Sequence, residues 1–211
     1  LSSNSDSKTK SVDPLNYHFS HQSMHRLPAE MIRDNILETS GLLFKEYGGP
    51  SVKPFQPKGY YKHLNFPKRE YQAHTDKRRL KRSVYIHWQR QFLHPMLQAM
   101  DAPTREECVA KRSKSNSPVA AMVLLNDPSF YEAAEEFAKI IIQSANSDDE
   151  RIKFAFQRAL SRDPDELEEN IINQLLKNIR QGLSNDGQLD LLCWTAVTRA
   201  IFNFSEFNTR N

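Results

Sequence analysis

Cysteine is nearly absent from this 211-residue chain, with Cys108 and Cys193 the whole supply. Two thiols exclude a disulfide scaffold and a four-thiolate zinc site, and no C-x-x-C-H stands ready for covalent haem attachment. An oxidising compartment would permit a single Cys108–Cys193 bridge, but two separate buried thiols are the expected state. No apolar run approaches the roughly 20 residues that a membrane-crossing helix needs. A secretory leader, an H-E-x-x-H metal motif and an internal repeat at a period of about 20–50 residues are also missing. The chain opens at Leu1 without an initiator methionine, so a piece of a longer polypeptide is expected.

The small net charge of +3 hides an asymmetry. Residues 1–117 carry 20 Lys/Arg against 11 Asp/Glu, and residues 118–211 carry 9 against 15. Oppositely charged halves attract each other, and a basic ligand-facing surface is the alternative reading. At 38% hydrophobic content the chain can build one sizeable core with some of its length poorly packed.

Residues 1–14 are too polar to offset the entropy of ordering and read as a flexible segment, with a single helical domain over 15–211. Pro28, the stripe Met31, Ile32, Ile36 and Leu37, and Gly41 predict a helix over 28–40. From about 42 to 76 the pattern dissolves among Pro50, Pro54, Pro57 and Pro67 into a long wrap that Phe55, Tyr60, Tyr61 and Phe66 should anchor. Val84, Tyr85, Trp88 and Phe92 sit at helical spacing and predict a helix near 80–92, a strand being the alternative, and a short turn follows at Pro95–Met100.

The last hundred residues are better punctuated. Asp127-Pro128, Ser147 and Asp163-Pro164 mark three helix starts. The expected inward stripes are Phe130, Ala133, Ala134, Phe137 and Ile141, then Ile152, Ala155, Phe156 and Ala159, then Leu167, Ile171, Leu175 and Ile179. A last helix over about 188–203 should turn Leu192, Ala196, Val197, Ala200 and Ile201 inward. The fold class is all-α, an irregular helical bundle with a proline- and aromatic-rich wrap and a joint near 115–118.

Candidate chemistry concentrates in 101–127. Asp101 before Pro103, and Thr104 with Glu107, fit helix caps, while Arg105 and Arg112 fit ties to carboxylates or carbonyls, with anion binding as the sharper alternative. Asn126 closes one helix and Asp127 opens the next. Lys77, Arg78, Arg79, Lys81 and Arg82, with Trp88 beyond them, are the candidate polyanion-binding surface. No groove-reading motif accompanies them, so nucleic acid is disfavoured and a solvated helix end is the bland alternative. His18, His21 and His25 would line one face if that stretch were helical, a weak metal candidate without supporting carboxylates. Pro50 removes a donor that GGPSV at 48–52 would need as a phosphate cradle.

Several segments carry a resemblance: RLPAEMIRD at 26–34, SGLL at 40–43, GGPSVKPFQP at 48–57, LNFPKREY at 64–71, the 101–127 segment and WTAVTRAIFNFSEF at 194–207. With them the chain resembles the C-terminal two-thirds of the planctomycete-type domain of unknown function fifteen fifty-three. The resemblance implies an exported protein, periplasmic or at the cell surface, with haem c in an upstream cytochrome-c-like domain and no cofactor in this chain. It also implies upstream domains of the same polypeptide as partners, and extracellular polysaccharide as a looser one. The basic stretch 77–81 and HFSHQSMH at 18–25 depart from the family pattern. The leading expectation is a non-catalytic packing and interaction module. The alternative is part of an enzyme site built from Arg33, Asp34, Asp101, Arg105 and Arg112.

Overall fold

A computed structural model describes residues 7–22, 24–63, 70–90, 92–115, 117–182 and 188–210. The helices are α1 (Ser7–Val12), α2 (Ala29–Thr39), α3 (Pro95–Ala99), α4 (Pro118–Asn126), α5 (Pro128–Ser144), α6 (Asp148–Leu160), α7 (Glu166–Gly182) and α8 (Leu189–Phe202). Two-residue strands β1 (His25–Arg26) and β2 (Thr209–Arg210) pair antiparallel, and 3-10 turns fill the gaps. The protein is an all-α irregular bundle carrying a non-regular wrap.

The bundle centres on α5 and α8. Phe137 of α5 stacks on Phe202 of α8 at 6.0 Å, and Thr198 Oγ1 donates to Ala134 O at 2.8 Å, so both helices meet along small and aromatic side chains. Trp194, Phe130 and Phe156 are fully enclosed beside them. The α5 stripe is buried as its periodicity predicts, and Ile152, Ala155 and Phe156 of α6 are too. On α8 Val197 and Ile201 point inward as expected, but Leu192 is exposed and Cys193, Trp194 and Phe202 fill the core instead.

Caps set most helix ends. Asp127 accepts from Ser129 N at 2.8 Å and Ser147 from Glu150 N at 3.4 Å, which places the α5 and α6 starts where the sequence predicts them. The α7 start lies later than Asp163-Pro164. Glu168 N donates to Asp165 Oδ1 at 2.7 Å while Asp165 N donates to Glu168 Oε2 at 2.9 Å, a reciprocal capping box two residues downstream. Its buried face is Ile172 and Leu176, one position off the predicted stripe.

At the end of α2, Gly41 takes φ +73° so that Leu42 N reaches Leu37 O at 2.9 Å, a Schellman closure that a side chain would strain. Ser161 holds the equivalent left-handed position after α6 at φ +59°. Ser161→Gly should therefore raise stability by about 0.5–1 kcal/mol. A chemical denaturation midpoint that stays put or falls would contradict the strain argument.

The wrap is anchored as expected at two of its four named rings. Tyr60 Oη donates to Leu93 O at 2.9 Å, and Tyr61 is buried against Phe92. Phe55 is 41% exposed and contributes its carbonyl, which faces His94 Nε2 at 2.7 Å. Phe66 lies outside the described residues. Tyr71 adds an anchor, donating to Pro54 O at 2.7 Å. The helix predicted near 80–92 does not form. Lys77–Leu80 and Ser83–Tyr85 are 3-10 turns, and Phe44 bridges Lys81 and Val52 bridges Ile86 in parallel. Val52 N to Tyr85 O and His87 N to Val52 O, both 2.8 Å, take backbone groups that a helix would have used internally. The strand alternative for this segment comes nearer at Lys81 and Ile86, each of which forms an isolated bridge. Ser7–Val12 is helical within the stretch whose composition reads as flexible.

Candidate functional site

The structure divides the five candidate residues into two groups. Arg33 and Asp34 sit on α2 and fasten the wrap. Met31, expected inward, is 54% exposed, and Arg33 at 1% exposure takes the inward place. Its Nη1 donates to Lys81 O at 2.9 Å and Ser83 Oγ at 3.2 Å, and its Nη2 to Arg79 O at 2.6 Å. Burial pushes the Arg33 guanidinium down to about 10, against Asp34 and Asp127 nearby, and it stays charged at neutral pH. Asp34 accepts from Ser83 N at 2.6 Å and faces Arg82 Nε at 3.3 Å. Burial also raises the Asp127 carboxyl, although its capping bonds and Arg33 oppose the shift.

Asp101, Arg105 and Arg112 belong to a loop between α3 and α4. Neither expected cap forms, because 101–115 contains no helix. Asp101 instead ties the loop's far end, accepting from Ser115 N at 2.6 Å and from Ser115 Oγ at 2.8 and 2.9 Å. Of the Thr104 box only a 3.4 Å bond from Glu106 N to Thr104 Oγ1 is seen. Arg105 lies over the Trp88 ring at 3.7 Å, and Trp88 Nε1 donates to Thr104 O at 3.3 Å. Arg112 Nη1 reaches both Glu30 oxygens at 3.0 and 3.1 Å. The loop is thus pinned at its base, its middle and its near arm, in the manner of an Ω-loop. Asp101 and Arg105 hold φ of +63° and +62°, a strain that those ties retain.

Inside the loop lies an open cleft of about 510 Å³ bordered by Gln98, Asp101, Arg105, Glu107, Lys111 and Arg112. Sequence reasoning missed Arg26 and Glu30. The β1–β2 pairing carries Arg26 to the loop base, where it lies 3.5 Å from Asp101 and donates to Ser115 O. Arg26 also borders a second hollow of about 250 Å³ with Leu124, Asn203 and Asn208. Asn203 Nδ2 and Asn208 Oδ1 have no partner among the described residues and are closed off from solvent. The RLPAE string contains both residues, and no local signal separates them from its other charges.

Much of the basic run's charge is met by acids of the protein itself. Arg78 meets Asp76 at 2.7 Å, Arg79 meets Glu132 at 2.5 Å, and Arg82 meets Asp34. Lys81, nearly buried, donates to Gly48 O at 3.0 Å with Glu46 at 3.4 Å, while Lys77 stays exposed. His18 lies in a turn, His21 at a bend and His25 in β1, so no helix aligns them. Among the described residues no group of three or more His, Cys, Asp and Glu is placed to hold a metal. Cys108 is exposed rather than buried, Cys193 is buried, and they are not bridged. No helix among the described residues is long and apolar enough to cross a membrane.

Chemically the cleft offers mixed charge and one stacked guanidinium. Asp101, Arg105 and Arg112 converge on it as the sequence grouped them, but each already has a protein partner. A family model described as PSD1, protein of unknown function (DUF1553), matches residues 1–176. No curated protein and no solved structure matches the chain.

Proposed function

The chain belongs to this family of unknown function (DUF1553), and from that premise we propose that it is a non-catalytic interaction module whose pinned 101–115 loop presents a cleft to an extracellular polymer. One observation carries this reading: the ionic candidates at the cleft are each engaged by the protein itself, Asp101 by Ser115 and Arg26, Arg112 by Glu30, and Arg105 by Trp88. Catalytic acids and bases need a reacting atom within reach and a poised proton, and these groups are committed to holding a surface in shape. Arg105 stacked on Trp88 is a flat cationic platform of the kind that binds hydroxylated or anionic chains. The family resemblance supports an exported setting, periplasmic or at the cell surface, beside a haem-bearing upstream domain whose packing against this module is part of the reading.

The test is a titration of the purified chain with soluble neutral and anionic polysaccharides by calorimetry. Trp88→Ala and Arg105→Ala should each weaken binding about tenfold or more, with the helical circular dichroism unchanged. An enzyme half-site is the second reading, because Asp101, Arg105 and Arg112 do border one open cleft. Turnover of a defined substrate that Asp101→Asn abolishes without loss of fold would replace the first reading with the second.

A further inference from the structure

The helix that departed from its predicted face, α7, leaves an apolar stripe uncovered. Ile172 and Leu176 enter the core, so Leu167 and Ile171, one helical turn apart, stand outward at 68% and 57% exposure, with half-buried Leu175 a turn further on. Isolated exposed leucines are ordinary, but two large side chains at i, i+4 on a helix of 17 residues form a ridge that another helix can bury.

The charges beside this ridge indicate what covers it. At 100° per residue, Glu166, Asn170 and Lys177 fall along one edge of the stripe. Glu166 and Lys177 are exposed, and neither has an ion-pair partner among the described residues. Of the other charges on α7, Glu168 binds Arg162 at 2.7 Å, and Arg180 binds Asp148 at 2.5 Å and Asp190 at 3.0 Å, while the exposed Glu169, also without an ion pair among the described residues, lies about 160° round the helix from Ile171. The unused acid stands five residues before Ile171 and the unused base six after it. Antiparallel helices present the same edge to each other, so the edge is complementary to its own copy turned by a twofold axis.

We propose that α7 is a self-association surface on which two copies of this chain pack antiparallel about Ile171. In that arrangement Ile171 meets Ile171 of the second copy, Leu167 meets Leu175, and Glu166 meets Lys177 at both ends. A parallel pairing would set this edge against the opposite edge of the second copy and forfeit both ion pairs. The alternating α7 dipoles also favour the antiparallel sense. One helix pair buries less than the roughly 1,200 Å² of a standard interface, so the dimer is weak, with a Kd of about 0.1 mM. The inference stands apart from the cleft, which no α7 residue borders.

Sedimentation equilibrium of the 211-residue chain up to about 1 mM reads it directly. The wild type should show a reversible monomer–dimer equilibrium, and Ile171→Glu should abolish it. Glu166→Lys and Lys177→Glu should each weaken it severalfold, and the double exchange should restore it. In a Cys108→Ser background, Ile171→Cys should cross-link to a covalent dimer under diamide, while Met122→Cys on exposed α4 should not. A wild type that stays monomeric at every concentration overturns the proposal and leaves the stripe to a different protein or another part of a longer chain. A dimer indifferent to Ile171→Glu, or equal cross-linking at Met122, overturns it as well.

Discussion

Arg33→Ala should cost the fold about 3–5 kcal/mol, the largest loss expected from any single charged side chain here. Arg33 binds the Arg79 and Lys81 carbonyls and the Ser83 hydroxyl from a position of 1% exposure. Truncation strands three buried acceptors and leaves a cavity as wide as the side chain, and both costs add. Arg112→Ala is the contrast. Its partner Glu30 is at 3.0 Å, but the Arg112 side chain is 42% exposed, and a pair of that kind is worth under about 1 kcal/mol. Arg33→Lys keeps a charge but not the planar fork, so it should recover only part of the loss. Urea denaturation gives the magnitudes, and limited proteolysis gives the location: cleavage should rise first within 77–87, the arm that Arg33 holds. An Arg33→Ala loss below about 1 kcal/mol, with 77–87 still protected, would show that the wrap is fastened by other contacts.

That role for Arg33 was only half legible in the sequence. An arginine inside the apolar stripe of a helix signals a buried tie, but the carbonyls it grips lie on a segment whose helical spacing was misleading. Val84, Tyr85 and Trp88 fit a helix by periodicity, yet the backbone around them bonds to Val52, a partner that no local pattern names. The α5 and α6 helices were legible because Asp127 and Ser147 fix their starts and one unambiguous stripe fixes each face. On α7 the doublets Ile171–Ile172 and Leu175–Leu176 offer two stripes one residue apart. Only the packing of α6 and α8 against the helix decides between them. At the cleft, Asp101 had a plausible local role as a cap and took a distant one with Ser115. Arg26 reached the same place only through strand pairing with the opposite end of the chain.

His94 should make the protein acid-sensitive between about pH 6.5 and 4. It is 3% exposed, its Nε2 lies 2.7 Å from Phe55 O, and its Nδ1 has no partner among the described residues. Burial is the main reason that its ring is pushed down to about 4 from 6.5. The Phe55 bond opposes the shift, and the nearby Arg33 charge adds to it. Above pH 6.5 the ring is neutral in folded and unfolded chains alike, and its contribution to stability is intact. As pH falls, the unfolded chain takes up the proton first, so stability declines until the folded ring also protonates near pH 4. At about 1.4 kcal/mol per pH unit, that window caps the loss at about 3 kcal/mol. The raised Asp127 carboxyl works in the opposite direction on acidification, and the lowered Asp13 in the same direction as His94. Both cancel in the difference between wild type and His94→Gln, whose amide can still donate to Phe55 O. The difference in unfolding free energy between the two proteins, from urea titrations at several pH values, should change by about 3 kcal/mol between pH 6.5 and 4, the wild type losing the more. A gap between the two proteins that stays constant across that range would mean that the ring never carries the burial penalty. The anchorage of the wrap would then rest on Tyr60, Tyr61, Tyr71, Arg33 and the Val52 backbone bonds rather than on the His94 ring.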